Sequence, residues 1–147
     1  MRISTKGRYG TRAMLDIALH SDEGLVHLKD VAGRQEVSKK YLEHLVARLE
    51  ADGLLRTVRG AGGGIALTKS PSEMTVLEIL QALEGPLAPL QCIDRPEICS
   101  RSAGCGARDL WTELGDVIAG FLASVTLGEL CERQRRKDRP AAPTYSI

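Results

Sequence analysis

The sequence predicts a mainly α-helical chain with one small β-hairpin and a long helix towards its C-terminal end. Apolar residues recur at helical spacing along most of the 147 residues. Two short apolar runs, Leu54 to Val58 and Ile65 to Leu67, are separated by the glycine-rich stretch Arg59 to Gly64, which is a hairpin pattern with a flexible tip. Hydrophobic residues make up 43% of the chain but aromatics only 3%, so the core has to be built from Leu, Val, Ile and Ala.

The elements follow in order. Ala13, Met14, Ile17 and Ala18 mark a first helix over 8–19, broken by Ser21-Asp22-Glu23-Gly24. Leu28, Val31 and Ala32 outline a short second helix ending near Arg34-Gln35. Ser38 is the expected N-cap of a third helix. Its stripe is Leu42, Leu45, Val46 and Leu49, at i, i+3, i+4 and i+7, and Asp52-Gly53 closes it. After the hairpin, Val76, Ile79, Leu80 and Leu83 mark a further helix that Gly85 to Pro89 ends. Residues 91–106 show no periodicity. Leu110, Leu114, Val117, Ile118, Phe121, Leu122 and Val125 form the stripe of a helix roughly 30 Å long. A short helix over 127–136 precedes a tail, 137–147, expected to be disordered because of Pro140 and Pro143.

No apolar run reaches the roughly 20 residues that cross a bilayer, so no membrane partner is expected. The opening residues lack an apolar leader segment, which makes the cytoplasm the expected compartment. The net charge of +1 conceals a partition. Residues 1–70 hold 12 basic and 8 acidic side chains, residues 71–130 hold 3 and 9, and residues 131–147 return to a net of +3. A basic half joined to an acidic half points to a polyanion partner for the first half alone.

Two short helices joined by a tight turn, the second of them capped, have the form of a helix-turn-helix, and the hairpin after them that of a wing. Such a motif reads base edges from the start of its second helix. Here Ser38, Lys39, Lys40, Tyr41, Glu43 and His44 stand there, opposite the leucine stripe. Glu43 suits a cytosine amino group, and Lys40 suits guanine or phosphate. Arg56 and Arg59 flank a glycine tip that lets backbone approach the sugar-phosphate. Helix-turn-helix patterns also occur in bundles that never touch DNA; the wing and the basic excess favour DNA. The glycine run is not a nucleotide cradle, because no Gly-Lys-Ser/Thr follows it and Ile65 occupies the last glycine position of the dinucleotide pattern.

Cys92, Cys99 and Cys105 are spaced C-x6-C-x5-C within the aperiodic stretch. Three thiolates without an evident fourth suit an iron–sulfur cluster, whereas structural zinc wants four Cys or His ligands. Cys105 precedes the long helix, whose positive N-terminal end favours a thiolate. The rival reading is three unligated cysteines acting as a thiol switch. Cys131, in an apolar helical stretch, is expected to be buried. The long helix outruns its own core, so its stripe is expected to bury against a second copy of the chain. A homodimer of this kind sets two recognition helices one DNA turn apart on a palindromic site.

Several segments together carry a likeness. They are Met1-Arg2-Ile3-Ser4-Thr5-Lys6-Gly7-Arg8-Tyr9, Ala13-Met14-Leu15-Asp16, the wing Val58 to Gly64, Ala82-Leu83-Glu84-Gly85, the three cysteines and Leu110-Trp111. Over nearly residues 1–136 the chain closely resembles the IscR-like iron–sulfur cluster regulator family of bacterial winged-helix transcription factors. The resemblance implies a dimeric regulator whose 2Fe–2S or 4Fe–4S cluster alters which DNA sites are occupied. It implies Cys92, Cys99 and Cys105 as cluster ligands. With the readings above, the expected DNA-binding set is Thr5, Lys6, Ser38, Lys39, Lys40, Tyr41, Glu43, His44, Arg56, Arg59, Gly60, Gly62 and Gly63. Two positions depart from the family pattern. Arg108 stands where IscR-like members place a histidine ligand, and Lys6-Gly7-Arg8-Tyr9 lacks the aspartate of the nitric-oxide sensors. Asp109, Glu113, a residue of the partner subunit or a small exogenous ligand stay open for the fourth place.

The expected organisation is a winged helix-turn-helix domain over 1–85, a cysteine-bearing cluster loop over 86–106, a dimerisation helix and following short helix over 107–136, and the tail. The expected function is a homodimeric transcriptional regulator, not an enzyme. It binds a palindromic promoter site in double-stranded DNA and senses redox state, nitric oxide or iron–sulfur status. The alternatives are a clusterless thiol-switch or partner-controlled repressor, and an iron–sulfur carrier.

Overall fold

The computed structural model describes residues 2–140. Helix α1 (Thr5–His20) begins three residues before the position its apolar spacing predicts. The cause is Ser4, whose hydroxyl accepts the Lys6 N–H at 3.1 Å and caps the helix. Helices α2 (Leu28–Gln35) and α3 (Lys39–Ala51) follow, then strands β1 (Leu55–Val58) and β2 (Gly64–Leu67). The strands pair antiparallel with Leu55 opposite Leu67 and Val58 opposite Gly64. Val26, before α2, adds a one-residue bridge to Ile65 and fastens the hairpin to the helices.

Helix α1 lies at the centre, packed against α4 (Val76–Glu84), α2, α3 and α7 (Leu127–Asp138). The core joins Met14 and Ile17 of α1 to Leu42, Leu45 and Leu49 of α3, Leu55 of β1, and Ile79 and Leu83 of α4. It is aliphatic, as the composition requires. Among the described residues one charged side chain, Asp16, is buried with it. Asp16 accepts hydrogen bonds from Arg34 (2.6 Å to Nη2) and from Gln35 Nε2 (2.9 Å), which ties the end of α2 to α1. That hydrogen bond to Asp16 raises the pKa of the Arg34 guanidinium further.

Between α4 and α7 the chain forms α5 (Gln91–Asp94), two single 3-10 turns and α6 (Gly106–Ser124). At 19 residues, α6 is about 28 Å long, and none of its residues is buried. Its stripe divides. Leu122, with the following Val125, packs towards Val76, Leu80 and Leu87, while Leu110, Leu114, Val117 and Phe121 stay exposed.

Helix α7, which the sequence pattern groups with the long helix, sends Leu127 and Cys131 into the main core beside α1. The start of α7 is held there by backbone bonds, Leu127 N–H to Met74 O at 2.7 Å and Val76 N–H to Val125 O at 2.9 Å. Thr75/Glu78 and Thr126/Glu129 cap α4 and α7 reciprocally. Cys131 is buried as expected, and burial pushes its thiol pKa up, away from reactivity. Helix α7 also runs past Arg136 to take in Lys137 and Asp138 from the segment expected to be tail; residues 141–147 lie outside the described residues.

Candidate nucleic-acid interface and cysteine segment

Glu36, in the left-handed conformation at φ 55°, ends α2 and turns the chain sharply into α3. Ser38 then caps α3 by accepting the Tyr41 N–H at 3.1 Å. With Leu42, Leu45, Val46 and Leu49 buried, Lys39, Lys40, Glu43 and His44 are turned outward and exposed. Lys39 and Glu43 stand 3.9 Å apart, an exposed pair that solvent screens and that competes little with DNA.

Tyr41 departs from this outward set. It is half-buried against the core edge, edge-on to Tyr9 at 6.2 Å, and its hydroxyl is enclosed without a hydrogen-bond partner among the described residues. In this conformation it supports the helix and does not present a group to bases. Arg8 and Arg12 lie over the opposing Tyr9 ring at 4.8 and 5.2 Å, so cations gather beside the start of α3.

In the wing, Arg56 and Arg59 are exposed, and Gly60 makes the turn at φ 105°. Gly62 is open to solvent. Gly63 is not: it is buried, and a Cβ there would fall 2.1 Å from the Val58 carbonyl oxygen. It therefore shapes the tip and offers no surface of its own. Glu50, which the sequence reading missed, anchors the wing to α3. Its carboxylate accepts from the Thr57 N–H at 2.8 Å and from the Thr57 hydroxyl. These bonds, with Arg59 nearby, hold the Glu50 carboxyl below the usual carboxylate range. No signal in the one-dimensional pattern marks Glu50, because the contact depends on how β1 folds back. Thr5 and Lys6 are exposed on the first turn of α1, and Thr5 lines a cleft with Arg2, Ile3, Ser4 and Arg8.

The cysteines sit on short helical turns: Cys92 in α5, Cys99 after the turn Pro96–Ile98, and Cys105 as N-cap of α6. All three are free thiols and half-buried. Arg108, on the first turn of α6, donates from Nε to the Cys92 carbonyl at 3.0 Å and from Nη2 to the Ile93 carbonyl at 3.5 Å. That guanidinium fastens the segment bearing Cys92 to the helix bearing Cys105. Among the described residues, no three Cys, His, Asp or Glu side chains are drawn together closely enough to hold a metal ion. The donor chemistry, three half-buried thiols on short helical turns, fits an iron–sulfur group; neither Asp109 nor Glu113 is grouped with them.

Residues 3–133 match the model of the Rrf2 family, described as an iron-dependent transcriptional regulator. The chain belongs to the Rrf2 family. Among curated Rrf2-like relatives, the HTH-type transcriptional regulator IscR of Photorhabdus laumondii is 45% identical over 94% of this chain and 84% of that protein. IscR of Escherichia coli O1:K1 is 41% identical over 94% and 85%. Among solved structures, T. potens IscR shares 34% identity at a TM-score of 0.79, covering 99% of this chain and 97% of that one. The global cysteine regulator CymR of B. subtilis shares 36% at 0.75, covering 90% and 98%. This Rrf2 member is accordingly a DNA-binding transcriptional regulator of winged-helix fold and not an enzyme. No helix among the described residues is long and apolar enough to cross a membrane.

Proposed function

We propose that the chain acts in the cytoplasm as a homodimer on palindromic promoter sites in double-stranded DNA, and that it senses redox state, nitric oxide or iron–sulfur supply through Cys92, Cys99 and Cys105. The observation that carries this reading is that the segment joining α4 to α6 bears three free, half-buried thiols, the last of them, Cys105, at the N-cap of α6. The exposed stripe Leu110, Leu114, Val117 and Phe121 suits burial against a second copy.

The outward residues of α3 enter the major groove, with Lys40, Glu43 and His44 at base edges and Ser38 and Lys39 nearer phosphate. Arg56 and Arg59 bring the wing to the flanking backbone, and Gly60 and Gly62 let it approach closely. Thr5 and Lys6 hold the adjacent phosphates from the first turn of α1. Cys92, Cys99 and Cys105 would hold a 2Fe–2S or 4Fe–4S cluster. When bound, such a group supplies a redox-active, nitric-oxide-reactive centre. Residues 86–106 join the end of α4 to the start of α6. A change in how the three cysteines are tethered therefore shifts α6 against the winged domain, and in a dimer it resets the distance between the two α3 helices.

Anaerobic purification followed by visible absorption and iron and sulfide analysis tests the sensor. A coloured protein with matching iron and sulfide is expected. A colourless, iron-free protein that still binds promoter DNA supports a second reading, a clusterless thiol-switch or partner-controlled repressor. That no three Cys, His, Asp or Glu side chains among the described residues are drawn together closely enough to hold a metal ion favours that alternative. An iron–sulfur carrier would show no salt-dependent binding to promoter DNA.

A further inference from the structure

Glu84 is the last residue of α4, and Gly85, at φ 83°, ends the helix and releases the chain into the cysteine-bearing segment. Its side chain reaches 77 to 80 residues back along the chain, to the N-terminus of α1. There Oε1 accepts the Ser4 N–H at 3.1 Å, the Ser4 hydroxyl at 2.5 Å and the Gly7 N–H at 2.9 Å. A carboxylate among these groups satisfies donors the helix leaves unpaired and faces the positive end of its dipole. The fit is close. A Cβ on Gly7 would fall 2.4 Å from Glu84 Oε1, and one on Gly10 would fall 2.2 Å from Leu83 Cδ1, so both glycines admit the end of α4.

Between the two ends of this clasp, at Ser4 and Gly7, stand the exposed residues Thr5 and Lys6. Arg2 and Arg8 line the same cleft of about 530 Å³ as Ser4 and Thr5. One carboxylate thus holds the backbone from which these groups project, and it sits two residues before the segment that carries the cysteines. We propose that Glu84 is a positioning residue for DNA binding, through which the 86–106 segment acts on the phosphate-contacting end of α1. This rests on the reading of Thr5 and Lys6 as phosphate contacts and of 86–106 as the sensor.

Charge and position make opposite demands here, which allows them to be separated. Through space alone, a negative group beside a basic cleft weakens attraction to DNA, so its removal should tighten binding and steepen the salt dependence. A positioning role requires the reverse. The experiment titrates the full chain with a promoter fragment at several salt concentrations. It compares wild type with Glu84→Ala, Glu84→Gln, Lys6→Ala and the Lys6→Ala/Glu84→Ala double variant.

Glu84→Ala should weaken binding roughly tenfold and make the salt slope shallower by about one. Glu84→Gln keeps an acceptor oxygen and should restore most of the affinity. The double variant should bind no worse than the weaker single variant, because both changes remove the same contacts. The affinity difference between wild type and the variant with Cys92, Cys99 and Cys105 all changed to Ala should shrink when Glu84 is Ala.

Tighter binding by Glu84→Ala, or additive losses in the double variant, overturns the positioning role. An undiminished cysteine-dependent difference overturns the relay. If Lys6→Ala leaves affinity and slope unchanged, the phosphate reading has failed first and the proposal falls with it. Should Glu84→Ala fail to fold, Gly7→Ala displaces the carboxylate instead and must reproduce the shallower slope for the role to stand.

Discussion

In α3 the stripe Leu42, Leu45, Val46 and Leu49 is buried throughout, whereas in α6 Leu110, Leu114, Val117 and Phe121 repeat a similar spacing and remain exposed. The two helices obey the same pattern under different supply. Around α3 the chain provides α1, α2, α4 and β1 as cover; α6 meets α4 and α5 on one side, and among the described residues nothing covers Leu110, Leu114, Val117 and Phe121 on the other. An apolar stripe therefore states that a face requires burial, and the surrounding chain decides whether the cover is its own. Polar contacts divide in the same way. Asp16, Glu50 and Glu84 link distant parts of the winged domain, while Arg108 of α6 reaches two carbonyls of the cysteine-bearing segment.

The contrast is broken most severely from the core side. Leu49→Ala empties a fully buried position and should destabilise the fold by about 2–5 kcal/mol, read as a lower denaturant midpoint. Asp16→Ala removes the carboxylate that holds Arg34 and Gln35. A loss of about 1–3 kcal/mol and weaker DNA binding are expected, by thermal melts and titration. On α6 the same measurements should diverge. Phe121→Asp should leave the thermal transition of the winged domain in place but shift sedimentation to monomer and weaken binding to a palindromic site about tenfold or more. A drop in stability equal to that of Leu49→Ala would erase the distinction between the two regions.

Smaller effects sharpen it. Arg59→Ala should weaken promoter binding a few-fold and make its salt slope shallower by about one, with stability unchanged. The smallest effect is one of pH. Lys69, at 2.6 Å, and the Thr75 cap hold the Glu78 carboxyl below the usual carboxylate range. A carboxyl depressed in the folded state contributes stability that is present above its unfolded value, about 4.3, and is lost as pH falls through the lower folded value. Glu78→Gln should flatten that acid-side decline in melting temperature; an unchanged decline would remove Glu78 as its source.

The helices, the hairpin and the helix-turn-helix with its wing were legible in the sequence because local spacing and capping residues determine them: Ser38, Asp52-Gly53 and the leucine stripe lie within one element. What escaped depends on distant chain returning. The early start of α1 at Ser4 is sustained by Glu84, 80 residues away. The wing is held by Glu50 through Thr57, and α7 joins the core through Met74. Tyr41 shows the limit within the binding face itself. Its place on α3 suggests a base contact, but Tyr9 from α1 holds its ring inward. The turns over 91–104 have no periodicity because each is a single turn with no face to bury.

The central claim is that Cys92, Cys99 and Cys105 govern how α3 and the wing meet DNA. The direct measurement is a set of binding isotherms, across several promoter sites, for anaerobically purified protein and for the variant with all three cysteines changed to Ala. The account predicts affinities that differ between the two proteins at some sites and not at others. Identical affinities at every site, with the wild-type protein carrying iron and sulfide, would contradict it.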